Sequence, residues 1–359
     1  MRLAYLVGAR PNLVKMAPVV GEARRRLDGS HVLIHTGQHY DSVMSDVFFE
    51  ELGVPEPDHV LGVGSGTHAV QTARAMERLE PVLIDERPDL LIVPGDVNST
   101  LAGALVAAKL GIPFAHLEAG LRSFDRSMPE EVNRIVADEF ADLLFVTCED
   151  AIGNLAAEGI DNGRIHFVGN TMIDTLVALR PRIAESKAAE RLGVAAGDYV
   201  LVTLHRPALV DGPLLGEAVA ELGKLAQTLP VVLPAHPRTA KRLATLDLPA
   251  GIVVTEPLGY LDFLSLEASA GAVLTDSGGV QEETTFLGVP CFTLRDNTER
   301  PVTITAGTNT LLGLAPRRIS DVAALLSEKV AGPAAPPPLW DGRAAERVVD
   351  VLAATLRQA

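Results

Sequence analysis

A chain of 359 residues is longer than one ordinary hydrophobic core uses, so two domains are expected, each with room for a substantial interior. Its usage, 47% hydrophobic and 21% charged with few aromatics, is that of a folded globular protein and excludes a disordered or fibrous chain. The formal net charge of −15 argues against general affinity for nucleic acid or anionic membrane and leaves any anion site to a local cluster of Arg and Lys.

Only Cys148 and Cys291 occur, in no metal-type spacing, and the nine His residues are dispersed. That suits a reducing cytoplasm and no structural zinc, and no metal is expected among the site residues. The N-terminal run MRLAYLVGARPN stops being apolar at Gly8, too short for a signal core, and no stretch approaches the ~20 apolar residues of a membrane helix. A cytoplasmic protein without membrane segments is expected.

Short apolar runs alternate with longer helical patterns: RLAYLV (2–7), HVLIHT (31–36), DLLIVP (89–94), IPFAHL (112–117) and DLLFVT (142–147). Such runs, lacking alternate polarity, predict parallel strands buried on both faces with helical crossovers. A second series, YVLVTL (199–204), PVVLPA (230–235), GIVVTE (251–256), AGAVLTD (270–276) and VPCFTL (289–294), repeats that grammar. The expected class is therefore α/β with two Rossmann-like domains, 1–169 and 170–340, and a ligand cleft between them. A Pro-rich spacer at 331–342 leads to an amphipathic helix at 341–359, which is free to dock on either domain, a return to the N-terminal one included.

Ligands of parallel α/β domains sit at the carboxyl ends of strands, so the residues following each strand are the candidates. After the first, GARPNLVK offers Arg10 and Lys15 near a helix start, where backbone amides favour an anion; a plain turn with surface cations would look the same. In TGQHYD, Gln38 and His39 can hydrogen-bond a sugar, although a locally satisfied loop His is the plainer account. GDVNST puts Asp96 at a strand end, with Ser99 and Thr100 placed to cap the next helix.

AHLEAGLRSFDRSMPEEVNR, 115–134, puts Glu118 directly after a strand and Glu130 after a loop, with Arg122, Arg126 and Arg134 nearby to hold charge. Pro129, Glu130 and Glu131 also fit the first turn of a helix, but that explains only one Glu easily. Asp96, Glu118 and Glu130 converging on one rim suit proton transfer at carbon, because repulsion and burial separate carboxyl pKa values; Mg²⁺ binding beside a phosphate is the competing use.

In the second half, TLHR brings His205 and Arg206 to a strand end, and PAHPR does the same for His236 and Arg238. Each pair can neutralise a leaving phosphate or simply be packing and surface charge. LTDSGGVQEET, 274–284, reads as a strand, then Ser277, Gly278 and Gly279 at a helix start, then Glu283 one turn on. With RDNTERP (295–301), that suits a nucleotide, phosphate at the helix start and ribose at the carboxylate.

GARPNLVKMAP, TGQH, GDVNST, HLEAGLRS, MPEEVNR, TLHR, AHPR, TDSGGVQEE and TERP occur in one order along most of the chain. In that order the chain resembles the non-hydrolysing UDP-N-acetylglucosamine 2-epimerases, enzymes of glycosyltransferase-B architecture. The resemblance implies conversion of UDP-N-acetylglucosamine to UDP-N-acetylmannosamine, by elimination of UDP to a 2-acetamidoglucal and re-addition. It implies no cofactor, a UDP-sugar as the partner and a homodimer, and it makes the second domain the UDP-binding one.

By the same resemblance Asp96 and Glu130 carry protons at C2, Glu118 supports their charge and His205 assists UDP departure. Arg10, Ser277, Gly278, Gly279 and Arg300 match phosphate positions, His236 the diphosphate side, Glu283 the ribose and Phe263 the uracil. Lys15, Gln38, His39, Arg122 and Arg206 complete the expected substrate set. Many members read GTRPE where this chain has Asn12, and HRxEN where it has Pro207, Ala208 and Leu209; both departures bear on substrate choice. The alternatives are a hydrolysing epimerase releasing free N-acetylmannosamine, an epimerase of a modified UDP-sugar, a glycosyltransferase of the same fold, and a non-catalytic UDP-sugar sensor.

Overall fold

The two series of apolar runs build two separate parallel sheets. The computed structural model describes residues 1–37, 49–328 and 335–357, and divides into one compact unit of Met1–Ala178 with Pro338–Ala359 and another of Leu179–Pro337. Among the described residues no helix is long and apolar enough to cross a membrane.

The first unit's sheet contains β1 (Arg2–Val7), β2 (Ser30–His35), β3 (His59–Val60), β4 (Leu90–Pro94), β5 (Phe114–Ala119), β6 (Leu143–Val146) and β7 (Ile165–Phe167). Their spatial order is β3-β2-β1-β4-β5-β6-β7. The second sheet holds β8 (Val200–Thr203), β9 (Val231–Pro234), β10 (Ile252–Thr255), β11 (Ala272–Thr275), β12 (Cys291–Thr293) and β13 (Asn309–Leu311), ordered β10-β9-β8-β11-β12-β13. Strand order reverses between β1 and β4 and again between β8 and β11, so the turns leaving those strands flank each sheet's crevice.

Burial on both faces explains the unbroken apolar runs. In the second unit Val200 and Val202 enter one core while Tyr199 and Leu201 enter the other, the period of two that a strand imposes. The strands absent from the sequence reading, β3, β7 and β13, are short and lie at or next to sheet edges, where few residues need to be apolar.

The division of the chain differs from the expected one in two places. Residues 170–178 belong with the first unit: Thr175 Oγ1 donates to the Val14 carbonyl at 2.6 Å. From Pro338 onward the Pro-rich segment is also part of that unit, because Trp340 is buried and donates its Nε1 hydrogen to the Thr147 carbonyl at 2.9 Å. The helix Ala344–Leu356 then packs on the helix Arg10–Arg26, with Arg26 pairing to Asp350.

Asp174 anchors that terminal helix by accepting the Ala344 and Ala345 amide hydrogens at 3.0 and 2.7 Å. Burial nevertheless dominates and pushes its carboxyl up to about 6. A raised acid pKa favours the folded state while the group is protonated, so this contribution is full below the ordinary carboxylate range and is lost as pH rises through about 6. Relative to Asp174→Asn, the wild type should therefore lose roughly 1–2 kcal/mol of stability between pH 5 and 8. Urea unfolding at both pH values checks this, and a difference independent of pH contradicts it.

Candidate active site

The crevice of the first unit is built where β4 and β5 end. Between β5 and β6 the register shifts from Leu117 to Ala119, so Glu118 is the extra residue of a bulge, held at φ +72°. A left-handed backbone at a non-glycine residue is strained and persists only where its surroundings enforce it. Glu118 ion-pairs here with Lys15, and both side chains are buried. Gly95, at φ +66°, passes beside the pair: a Cβ there would lie 3.4 Å from both Glu118 Oε2 and Lys15 Nζ. Asn12 secures the neighbouring turn by accepting the Ala9 amide hydrogen and donating to the Pro94 carbonyl.

Asp96 follows Gly95 and pairs with Arg134, which also pairs with Glu131. Glu131 is fully buried and accepts the Ser123 and Phe124 amide hydrogens at 2.9 and 2.8 Å, so of the adjacent acids it is the one that holds the loop. Glu130, on the same helix Pro129–Phe140, is half-buried, and among the described residues its carboxylate has no hydrogen-bond or ion-pair partner. Asn133 ties that helix to the turn through the Asp96 carbonyl at 2.9 Å.

Two expectations about this region change. Arg122 is not presented to a ligand: it is buried, with its guanidinium on Glu158, Asp138 and the Leu121 carbonyl. Ser99 and Thr100 do not cap the helix Asn98–Leu110, whose N-cap is Val97; Thr100 instead donates back to the Pro94 carbonyl. Gln38 and His39 lie outside the described residues. Arg10 stands exposed at the first position of its helix.

The second unit's crevice is organised by Asp276, a residue the sequence reading passed over. It accepts the His205 and Arg206 amide hydrogens at 2.9 and 2.8 Å, and its Oδ1 lies 2.8 Å from His205 Nδ1. Burial alone would raise its carboxyl, but His205 and the two amides outweigh that and hold it low. The His205 side chain remains 43% exposed, anchored at Nδ1 and accessible to solvent.

Directly after Asp276, Ser277 precedes the helix Gly278–Leu287 and leaves its first amides without a side-chain cap, the arrangement that attracts an anion. Gly278 is required by close approach, since a Cβ there would lie 2.6 Å from Arg300 Nη1. Arg300 is fixed between Glu282, at 2.9 Å, and Glu299, at 2.8 Å. Gln281 donates to the Ser277 carbonyl and accepts from Thr298, so the 295–301 loop is tied to the helix start.

Glu283 is buried and accepts the Tyr260 hydroxyl hydrogen at 2.7 Å. Burial and then the Glu283 charge push that hydroxyl well above its ordinary value, keeping the proton on the donor. Phe263 lies one turn along the Tyr260 helix, partly buried against the core. His236 caps the short helix Pro237–Leu243 by accepting the Arg238 amide hydrogen, which puts the ring hydrogen on Nε2. Arg206 donates to the Asp276 carbonyl and approaches Glu299 at 3.8 Å.

A family model described as UDP-N-acetylglucosamine 2-epimerase matches residues 22–353. The UDP-N-acetylglucosamine 2-epimerase of Methanocaldococcus jannaschii is 42% identical over 367 residues, covering 98% of this chain and 99% of that one. The UDP-2,3-diacetamido-2,3-dideoxy-D-glucuronate 2-epimerase of Pseudomonas aeruginosa is 43% identical over 320 residues, covering 88% and 89%. Among solved structures, the M. jannaschii UDP-GlcNAc 2-epimerase in complex with UDP-GlcNAc and UDP matches with a TM-score of 0.90 at 40% identity, over 99% of this chain and 100% of that one. A Streptomyces nogalater glycosyltransferase, at 18% identity and a TM-score of 0.56 over 98% of this chain and 100% of that one, shares the fold alone.

Gly278→Ala should displace Arg300 from its two carboxylates. Breaking such a buried pair costs about 3–5 kcal/mol, read by urea unfolding. A loss below about 1 kcal/mol, the size of an ordinary surface change, would contradict the close approach.

Proposed function

The chain belongs to the UDP-N-acetylglucosamine 2-epimerase family of isomerases, and from that membership we propose that it interconverts UDP-N-acetylglucosamine and UDP-N-acetylmannosamine with the nucleotide retained in the product. The observation carrying the reading is the contrast among the acids of the first unit: Glu118 and Asp96 are each held by a cation, while the Glu130 carboxylate has no partner among the described residues.

The C2 hydrogen of the sugar is a poor acid, so its removal must be coupled to departure of UDP from C1. In an anti elimination the C2 proton leaves on the face opposite UDP, the C2–H electrons form the C1–C2 double bond of a 2-acetamidoglucal, and the C1–O bond breaks. Returning a proton to the other face of C2 while UDP re-adds at C1 gives the epimer, so two proton carriers are needed. Glu130 takes one role and Asp96 the other, with Arg134 keeping Asp96 in place. Glu118 and Lys15 supply a fixed field, and His205, oriented by Asp276, hands a proton to the departing diphosphate.

The uncapped start of the helix Gly278–Leu287 and Arg300 suit the phosphates, and Glu283 suits the ribose hydroxyls. A second reading keeps the chemistry but changes the sugar to a diacetamido-uronic acid, supported by the P. aeruginosa relative at 43% identity. Incubation with each UDP-sugar separates the two readings.

Glu130→Gln should lower turnover on the order of 10²–10⁴-fold with stability and UDP affinity unchanged. Glu131→Gln, which strips a buried charge from Arg134 and the loop amides, should instead cost about 3–5 kcal/mol of stability. Turnover by Glu130→Gln at the wild-type rate would remove Glu130 from the reaction.

A further inference from the structure

His116 is fully buried on β5, two residues before Glu118, and both its ring nitrogens face oxygens. Nδ1 lies 2.6 Å from Asp138 Oδ1, and Nε2 lies 2.7 Å from the Gly95 carbonyl oxygen. A carbonyl oxygen can only accept, so Nε2 must carry a hydrogen. A second proton then lies between Nδ1 and Asp138. Wherever on that line it sits, the donor to Gly95 is preserved.

Asp138 is equally buried, in the helix that begins with Pro129 and Glu130. Its Oδ2 accepts the Gly120 amide hydrogen at 3.0 Å and an Arg122 Nη1 hydrogen at 2.7 Å, and Arg122 is fastened to Glu158 through Nε and Nη2 at 2.7 and 2.6 Å. Burial would raise the Asp138 carboxyl, but His116 and Arg122 outweigh it and hold it below the ordinary range. One carboxylate thereby joins three segments: the Gly95 turn that carries Asp96, the end of β5 that carries Glu118, and the helix that carries Glu130.

We propose that His116 and Asp138 form a positioning pair that sets the three acids of the first unit relative to one another, with the imidazole as a rigid strut between Asp138 and the Gly95 carbonyl. The proposal rests on the epimerase reading. The chemistry calls for an imidazole because it hydrogen-bonds an oxygen at each end of a stiff ring. A leucine there would orphan a buried carbonyl and a buried carboxylate oxygen, and a glutamine amide would reach them through a flexible stem. A brace needed only for folding would change stability and leave the turnover of folded molecules untouched. A brace for the acids changes turnover in protein that still folds and still binds nucleotide.

The test compares His116→Gln and His116→Leu with the wild type in steady-state turnover, UDP binding by calorimetry and thermal unfolding. Misplacing reacting groups by about 1 Å costs on the order of 10²-fold. The expected result is a fall in kcat of that order for Leu and a smaller one for Gln, with KM and the UDP Kd within about threefold of wild type. Unchanged kcat in the folded fraction, or a change in KM alone, overturns the proposal. Should both variants fail to fold, nitrogen-15 spectra of the labelled wild-type ring decide: a hydrogen on Nε2 supports the strut, and a bare Nε2 overturns it. A wild type that epimerises beside an unaffected variant sinks this proposal alone, whereas a wild type without exchange at C2 sinks the epimerase reading together with it.

Discussion

A carboxylate withdrawn from water must find a cation or several hydrogen-bond donors, and that requirement shapes both crevices. The pairing of Lys15 with Glu118 is where it acts most directly. To reach Lys15, Glu118 occupies a bulge in the left-handed region, and Gly95 carries no side chain where the pair passes. Glu131 and Asp96 share Arg134 on the same principle, and Glu282 and Glu299 share Arg300 in the second unit. Glu130, half-buried, differs from these: among the described residues its carboxylate has no such partner.

The pairings divide the charged residues into those that hold and those that exchange. The buried pair of Lys15 and Glu118 presents a constant field that needs no reorganisation as charge develops. In the proposed reaction Glu130, Asp96 and the solvent-accessible side chain of His205 move the protons. His205 is held from behind by Asp276, so its Nε2 is the nitrogen available to a leaving group. The proposed chemistry, proton transfer at carbon coupled to nucleotide departure, draws on family membership and on this division.

Much of this was legible in the sequence because it depends on local signals. Ten apolar runs marked ten of the strands, most of them buried on both faces and so without polar alternation, and the residues after them marked the crevices. What escaped depends on contacts distant in sequence. Glu130 and Glu131 are equivalent on a helix start until the Ser123 and Phe124 amides claim Glu131. Arg122 reads as a ligand-binding cation until Glu158, 36 residues on, occupies its guanidinium. Asp276 could have been found: an acid closing a buried strand just before a glycine turn has few uses except to hold neighbouring amides. Asn12 donates to the Pro94 carbonyl, which a carboxylate at that position could not do. The placement of the tail had no local signal beyond Trp340, the chain's single tryptophan, in a Pro-rich stretch.

The central claim is that a proton is exchanged at C2 of the sugar while UDP is retained in the product. The most direct measurement is a proton NMR time course of the purified protein with UDP-N-acetylglucosamine in D₂O. The account predicts loss of the C2 proton signal and growth of UDP-N-acetylmannosamine deuterated at C2. Free N-acetylmannosamine with UDP, or an epimer that keeps its original C2 hydrogen, would contradict it.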